Sequence, residues 1–178
     1  RGLIIIDIQK GLTKKKTLYN ESIFFDTVNS AIKEYRNSDY KVIFVQHNNK
    51  QLKNDSPNWK IDSRIDNQEN DCVIQKNYGN AFHDTDLKTT LTDFGISSVT
   101  VCGLVSHGCV KSTCLGGLSE GFEIRLLKNG HTNWNNDAET RILETEKELI
   151  KNGVLIESTT NLSTDTDSSK HLKNLTTL

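Results

Sequence analysis

Short apolar runs alternate with segments of helical periodicity along most of this chain. The first run, residues 3–6, contains four consecutive aliphatic side chains, which is typical of a strand covered on both faces. This repeated alternation predicts a three-layer α/β/α fold, in which a mostly parallel six-stranded sheet has helices on both faces. The predicted strands cover residues 3–6, 42–45, 72–74, 99–102, 124–127 and 154–156, and the predicted helices cover residues 20–36, 84–94, 108–120 and 137–152.

The length of 178 residues suits one domain with a single core, and we expect residues 1–160 to form it. Residues 161–178 are rich in Ser, Thr and Asn, so we interpret them as a polar C-terminal tail. A second polar stretch, residues 47–71, contains the single proline. Because long loops in compact domains are often functional, we expect this stretch to influence specificity.

Acidic and basic residues balance in this chain, with 23 of the former and 22 of the latter. We therefore expect no nucleic acid and no membrane surface as a partner. No apolar run approaches the roughly 20 residues that span a bilayer, and residues 3–6 are too few for the core of a signal peptide. The four cysteines form no CxxC pair, which favours a reducing compartment and a cytoplasmic location.

Reactive side chains follow the predicted strands at their carboxyl ends. Asp7 follows the first strand and His47 the second, while Lys76 follows the third and Cys109 ends the turn after the fourth. Ligands of open parallel sheets bind beyond these ends, near the point where the strand order reverses. In the common order 3-2-1-4-5-6 the first and fourth strands are neighbours there, so we expect Asp7 and Cys109 to share one crevice.

Cys109 opens a predicted helix, where the helix dipole and the Lys76 ammonium are expected to lower the pKa of the thiol. Asp7 can take the thiol proton and return it to a leaving group. An unpaired carboxylate directly after four buried aliphatic residues is costly, which favours a functional Asp7. The alternative for Cys109 is a buried apolar thiol, as most free cysteines are, and the residues alone leave both readings open.

Three motifs occur in order along the chain: DIQ from Asp7, KNYGNAF from Lys76 and GLVSHGCVKST from Gly103. Together they resemble the isochorismatase-like cysteine hydrolases, a family that includes nicotinamidases, over about residues 2–160. The resemblance implies a catalytic triad of Asp7, Lys76 and Cys109. It also implies a reaction in which the thiolate attacks an amide carbonyl, an amine leaves, and water hydrolyses the thioester.

The resemblance further implies a cis peptide bond between Leu104 and Val105, with the backbone N–H groups of Val105 and Cys109 as oxyanion donors. Nicotinamidases have a D-x-H metal cluster after the second strand. Here the segment from Gln46 has the sequence QHNN, so His47 lacks a histidine partner nearby. We therefore expect no catalytic metal and no cofactor.

The substrate pocket is predicted to include Gln9, His47, Trp59 and Phe82. His47 can equally be a strand-end residue without a further role, and aromatic residues near a core more often serve packing. The resemblance also implies a small-molecule substrate and assembly into a homo-oligomer, a dimer or larger.

Two histidines outside these motifs are not expected to be catalytic. His107 is close to Cys109 in sequence, and neighbours on a tight turn usually point apart, which argues against a Cys-His dyad. His131 and Trp134 are interpreted as parts of a loop or of a subunit contact.

Three alternatives to C–N bond hydrolysis stay open or are weakened by the sequence. A vinyl-ether hydrolase of isochorismatase type would use Asp7 and not need Cys109, so the presence of Cys109 favours C–N hydrolysis. A non-catalytic protein of the same fold predicts an unreactive thiol. A dinucleotide-binding protein is disfavoured, because no GxGxxG follows the first strand.

Overall fold

A single six-stranded sheet forms the centre of the computed structural model, which describes residues 1–134 and 136–159. The strand order is β3-β2-β1-β4-β5-β6, and every neighbouring pair is parallel. This confirms the predicted α/β fold, with β1 and β4 adjacent where the order reverses. The strands are β1 (Gly2–Ile6), β2 (Lys41–His47), β3 (Cys72–Lys76), β4 (Ser98–Leu104), β5 (Glu123–Thr132) and β6 (Leu155–Glu157).

Helices connect successive strands everywhere except between β2 and β3, which a polar stretch joins. The helices are α1 (Lys10–Thr13), α2 (Glu21–Asn37), α3 (Leu87–Asp93), α4 (Lys111–Ser119) and α5 (Ala138–Lys151). One π-helical turn, the π turn (Ser106–Val110), precedes α4. None of the helices in the described ranges is long and apolar enough to cross a membrane.

Two apolar cores lie on the two faces of the sheet because side chains alternate along each strand. In β1, Ile4 and Ile6 belong to the core that also contains Leu91, Cys114 and Leu149 from α3, α4 and α5. The intervening residues of β1, Leu3 and Ile5, belong to the second core. That core includes Phe24, Val28, Ile32 and Tyr35 of α2.

Five of the six strands, all except β1, extend past their predicted carboxyl ends. β2 ends at His47 and β3 at Lys76, and these two residues are paired in register. β5 continues to Thr132, and its register with β4 shifts between Val101 and Gly103. The predictions stopped where the apolar pattern stops, whereas the backbone hydrogen bonds continue through polar residues. The polar ends of the strands therefore have fixed positions in the sheet.

The polar stretch between β2 and β3 folds back over the end of β1. Its Ile61 forms an isolated bridge with Gln9, and the Asp62 N–H donates to the Ile8 carbonyl at 2.9 Å. Two apolar side chains of this stretch, Leu52 and Ile65, are buried. The predicted tail, residues 161–178, lies outside the described residues, and the domain boundary at residue 160 stays a prediction.

Candidate active site

Asp7 lies immediately after β1 and turns out of the strand. Its φ of 55° is in the left-handed region, which non-glycine residues rarely adopt and which is enriched at functional sites. Its N–H still donates to the Val45 carbonyl at 2.9 Å. One carboxylate oxygen, Oδ2, accepts from Lys76 at 2.8 Å, while Oδ1 has no hydrogen-bond partner among the described residues. Asp7 is thus a buried carboxylate with one oxygen available.

Lys76, the last residue of β3, is fully buried, and its ammonium group is fully hydrogen-bonded. It donates to Asp7 Oδ2 at 2.8 Å, to the Tyr78 carbonyl at 3.1 Å and to His47 Nδ1 at 3.0 Å. An ammonium has three N–H donors, and each has an acceptor here. Burial of a charge without partners would be prohibitive, so these contacts allow Lys76 to stay charged beside Asp7.

Cys109 lies in the π turn, half-buried and next to these groups. Its Sγ, a carboxylate oxygen of Asp7 and a ring nitrogen of His47 all lie within 4.8 Å of one another. The backbone of Gly108 departs from helical values, with φ −109° and ψ −113°. The structure therefore brings together Asp7, Lys76 and Cys109 at the carboxyl edge of the sheet.

Close contact between β1 and β4 supports this arrangement. Gly103 has a φ of +123°, and a Cβ atom there would lie 2.1 Å from the Ile6 carbonyl oxygen. Only glycine fits this position, because the backbone of β1 occupies the space that a side chain would need. The peptide bond between Leu104 and Val105, directly after Gly103, is cis. The oxyanion role of the Val105 and Cys109 N–H groups stays a prediction.

The pKa of Cys109 corrects the expectation of a lowered value. Burial of the thiol, together with the negative charge of Asp7, raises its pKa to about 11, and the Lys76 charge only partly offsets this effect. Cys109 lies just before the first turn of α4, but any effect of the helix dipole is outweighed by burial and the Asp7 charge. Cys109 is therefore a thiol at neutral pH, and it needs a base.

Asp7 has the properties of that base. Burial raises the pKa of its carboxyl group, although the charge and hydrogen bond of Lys76 oppose the shift. A raised pKa makes the carboxylate a stronger proton acceptor than an exposed aspartate. Burial and the Lys76 charge together lower the pKa of His47, so its imidazole is neutral. With Nδ1 accepting from Lys76, the His47 proton resides on Nε2.

The other predicted pocket residues have mainly structural contacts. Gln9 is completely buried, and its amide nitrogen donates to the carbonyls of His47 and Trp59, while its Oε1 accepts from the His47 N–H. It connects the ends of β1 and β2 to the following loop. Trp59 is half-buried, and its indole donates to Asn48. Phe82 is 8% exposed and packs against Phe122 in the core. A pocket role for these residues stays a prediction.

The end of β5 contacts the π turn in a way that the sequence did not indicate. His131 Nδ1 lies 2.8 Å from Ser106 Oγ, and His107 Nδ1 lies 2.9 Å from Asn133 Oδ1. His131 is therefore in a strand beside the proposed nucleophile, not in a loop. The available signal was the position of these polar residues after a predicted strand, which is the signal that identified Asp7 and Lys76. The Asn133 contact agrees with the expectation that His107 does not pair with Cys109.

A resident metal ion does not fit the site. Asp7, His47 and Cys109 are the one group of three potential ligands found within residues 1–134 and 136–159. Two of these three residues already accept hydrogen bonds from the buried Lys76 ammonium. The Lys76 positive charge beside these two side chains repels a cation, which disfavours a bound metal ion here.

Known proteins resemble this chain over most of its length. The family model for the Isochorismatase domain matches residues 1–156. The chain is 24% identical to the uncharacterized isochorismatase family protein YddQ of Bacillus subtilis (strain 168) over 152 residues, which cover 82% of this chain and 84% of that protein. It is 37% identical to N-carbamoylsarcosine amidase of Arthrobacter sp over 63 residues, which cover 35% of this chain and 24% of the amidase.

Solved structures agree with these matches. A crystal structure described as an isochorismatase family protein superposes with a TM-score of 0.84 at 28% sequence identity, covering 89% of this chain and 98% of that chain. The family match spans β1 to β5, most of β6 and all three residues that converge at the carboxyl edge of the sheet. This chain belongs to the isochorismatase family.

Proposed function

We propose that this protein is a cysteine hydrolase that cleaves an amide-type C–N bond in a small molecule, with Cys109 as nucleophile. Family membership supports a hydrolase, and similarity to an amidase supports C–N chemistry. The observation that carries the proposal is the half-satisfied carboxylate of Asp7. One oxygen is held by Lys76, the other has no hydrogen-bond partner in the described part of the chain, and a carboxylate oxygen of Asp7 lies within 4.8 Å of the Cys109 sulfur.

Acylation begins with proton transfer. Asp7 Oδ1 accepts the thiol proton as Cys109 Sγ attacks the substrate carbonyl carbon, and the carbonyl π electrons move to oxygen. The resulting oxyanion is stabilised by backbone N–H groups of the π turn region, for which Val105 and Cys109 are the predicted donors. Protonated Asp7 then gives its proton to the leaving nitrogen as the C–N bond breaks. The products of this half-reaction are an amine and a thioester on Cys109.

Deacylation uses the same groups, with water as the nucleophile and the Cys109 sulfur as the leaving group. Asp7 accepts a proton from water as the water oxygen attacks the thioester carbon. The C–S bond then breaks, the proton returns to the Cys109 sulfur, and a carboxylic acid leaves. Lys76 stays charged throughout, because it orients Asp7 Oδ2 and favours the negative charge that forms on sulfur or oxygen. The cycle needs no cofactor.

Intact-protein mass spectrometry during turnover tests this proposal directly. We would incubate the protein with a panel of small carboxamides, N-carbamoyl compounds and ureides, and measure both product release and the mass of the acyl group on the protein. We expect a thioester adduct that maps to Cys109 and that Cys109→Ala lacks. Cys114→Ala, which removes a thiol buried in the core, is the matched control and should retain activity.

The same variants discriminate the two alternatives. A vinyl-ether hydrolase would cleave isochorismate and keep that activity in Cys109→Ala, since Asp7 alone supplies the proton. A non-catalytic protein would give neither an adduct nor product with any compound. Either result would contradict cysteine-dependent C–N hydrolysis.

A further inference from the structure

A hydroxyl, an imidazole and a carboxylate form a buried chain next to the proposed nucleophile. Ser106 Oγ lies 2.8 Å from His131 Nδ1, and His131 Nε2 lies 3.4 Å from Glu146 Oε1. Ser106 and the His131 side chain are 0% exposed, while the Glu146 side chain is 18% exposed. Ser106 belongs to the π turn, His131 to β5 and Glu146 to α5. No step of the proposed reaction uses any of them.

We propose that His131, held by Glu146, is a positioning residue that fixes the π turn through Ser106 and so aligns Cys109 and the oxyanion donors. This inference rests on the proposed function. The order hydroxyl–imidazole–carboxylate also occurs in serine hydrolases. Ser106, however, is completely buried, so a substrate carbonyl has no access to its oxygen. The chain of contacts acts on the backbone of the turn instead.

Glu146 determines which nitrogen of His131 has the proton. The pKa of Glu146 is lowered, chiefly by its interaction with His131, so the carboxylate is charged and favours a proton on Nε2. In the neutral imidazole, Nδ1 is then an acceptor for the Ser106 hydroxyl. The Nε2–carboxylate contact is long for a hydrogen bond, so it is mainly an attraction between the N–H dipole and the carboxylate charge. The Ser106–His131 contact is the short one.

A second contact, made by Asn133 directly after β5, holds the neighbouring residue of the π turn. His107 Nδ1 lies 2.9 Å from Oδ1 of Asn133, which is completely buried. Two consecutive side chains of the turn are thus attached to the end of one strand. The Gly108 and Val110 N–H groups donate to the Val105 carbonyl at 3.0 and 3.3 Å, which closes the turn around Cys109. Rotation of the turn would require loss of these contacts together.

Two reactions of Cys109 separate alignment from intrinsic thiol reactivity. Alkylation by iodoacetamide needs only an accessible thiolate, whereas acylation by p-nitrophenyl acetate also needs a stabilised oxyanion. We expect Ser106→Ala and His131→Ala to lower the acylation rate by about 100-fold, the scale on which a displacement of about 1 Å acts. The alkylation rate should change by less than about threefold, because the surroundings of the thiol are kept.

The matched control is Thr100→Val, which removes another buried hydroxyl from a hydroxyl–carboxylate chain. Thr100 Oγ1 contacts Tyr35 and Glu157, on the side of the sheet that α2 covers. We expect this variant to lower the Tm as Ser106→Ala does, yet to keep the wild-type acylation rate. His131→Asn places an amide near the Nδ1 position and should recover part of the rate that His131→Ala loses. Glu146→Gln removes the carboxylate charge beside His131 at a partly exposed position. It therefore tests the hydroxyl–imidazole–carboxylate contacts without creating a cavity at a buried site.

The outcomes separate the inference from the proposed function. If acylation falls in proportion to the Tm in all variants, Thr100→Val included, the contacts are merely structural and the inference is wrong. Unchanged acylation in Ser106→Ala and His131→Ala also overturns it, while the proposed function stands. If the wild-type protein itself forms no acyl adduct at Cys109, both are wrong.

Discussion

Two buried carboxylates near opposite ends of β1 differ in how completely their oxygens are used. Glu157 has a partner on each oxygen: Arg1, just before β1, contacts Oε1, and Thr100 contacts Oε2. Asp7, just after β1, has Lys76 on Oδ2 and, within the described residues, no hydrogen-bond partner on Oδ1. With partners on both oxygens, Glu157 has a structural role, since it links β6 to β4 and to the residue before β1. A carboxylate with a free oxygen beside a thiol can also exchange a proton.

The two carboxylates shift the pKa of a neighbouring group in the same direction. Beside Glu157, burial and the carboxylate charge raise the pKa of the Tyr35 hydroxyl, which stays protonated and bonded. Beside Asp7, the same two causes raise the pKa of the Cys109 thiol. The thiol, however, has a proton acceptor within reach. The electrostatics are therefore similar, and the free acceptor distinguishes the reactive end from the structural end.

Asp7→Asn should give the largest effect on activity. Loss of the base is expected to lower amide hydrolysis by about 10²–10⁴-fold. Alkylation of Cys109 at pH 8 should become faster, because the negative charge that raises the thiol pKa is gone. Product release and peptide mapping after iodoacetamide measure the two effects. Glu157→Gln is the matched control, and its activity should be unchanged. A parallel fall of both rates in Asp7→Asn would contradict the assigned role.

Lys76→Met should give the largest effect on stability. It leaves the Asp7 carboxylate buried without its cation, which costs about 3–5 kcal/mol when a buried pair is broken. The double variant Asp7→Asn/Lys76→Met removes both charges and should recover much of that loss. Urea unfolding of the four proteins gives the coupling energy. If the double variant is as unstable as the sum of the single variants, the two groups do not form a coupled pair.

Gly103→Ala tests the close approach of β1 and β4. The added Cβ would meet the Ile6 carbonyl, so we expect destabilisation by about 3 kcal/mol and loss of activity. Gly95→Ala is the control at the amino end of β4. Gly95 also has a positive φ, +65°, but nothing lies within 4 Å of its Cβ position, so about 1 kcal/mol should be lost. Equal losses in the two variants would show that φ alone matters.

The pH dependence of alkylation gives the smallest but most direct measurement. With a thiol pKa of about 11, the rate at Cys109 should rise about tenfold per pH unit between about pH 7 and 10, without a plateau. The alkylation rate rises with pH because only the thiolate reacts, and the thiolate fraction grows with pH below the pKa. A plateau near pH 7 would mean that Lys76 outweighs burial and Asp7, as the sequence first suggested.

Most of the fold and the central residues of the site could be predicted because they depend on local patterns. Apolar runs identified all six strands, and the reversal of strand order predicted that Asp7 and Cys109 meet. The ends of the strands were missed, since polar residues such as Lys76 and His131 continue the backbone pairing without an apolar pattern. The contact between His131 and Ser106 was missed for the same reason.

Apolar runs that alternate with helical segments, and a few reactive side chains after the strands, were enough to identify the α/β fold and the residues to test. These are local properties, set by which residues follow one another along the chain. The protonation of Cys109, the single free oxygen of Asp7 and the core position of Phe82 depend on burial and on contacts between distant segments. Desolvation and hydrogen-bond saturation arise only when the elements pack, so only the tertiary structure decided them.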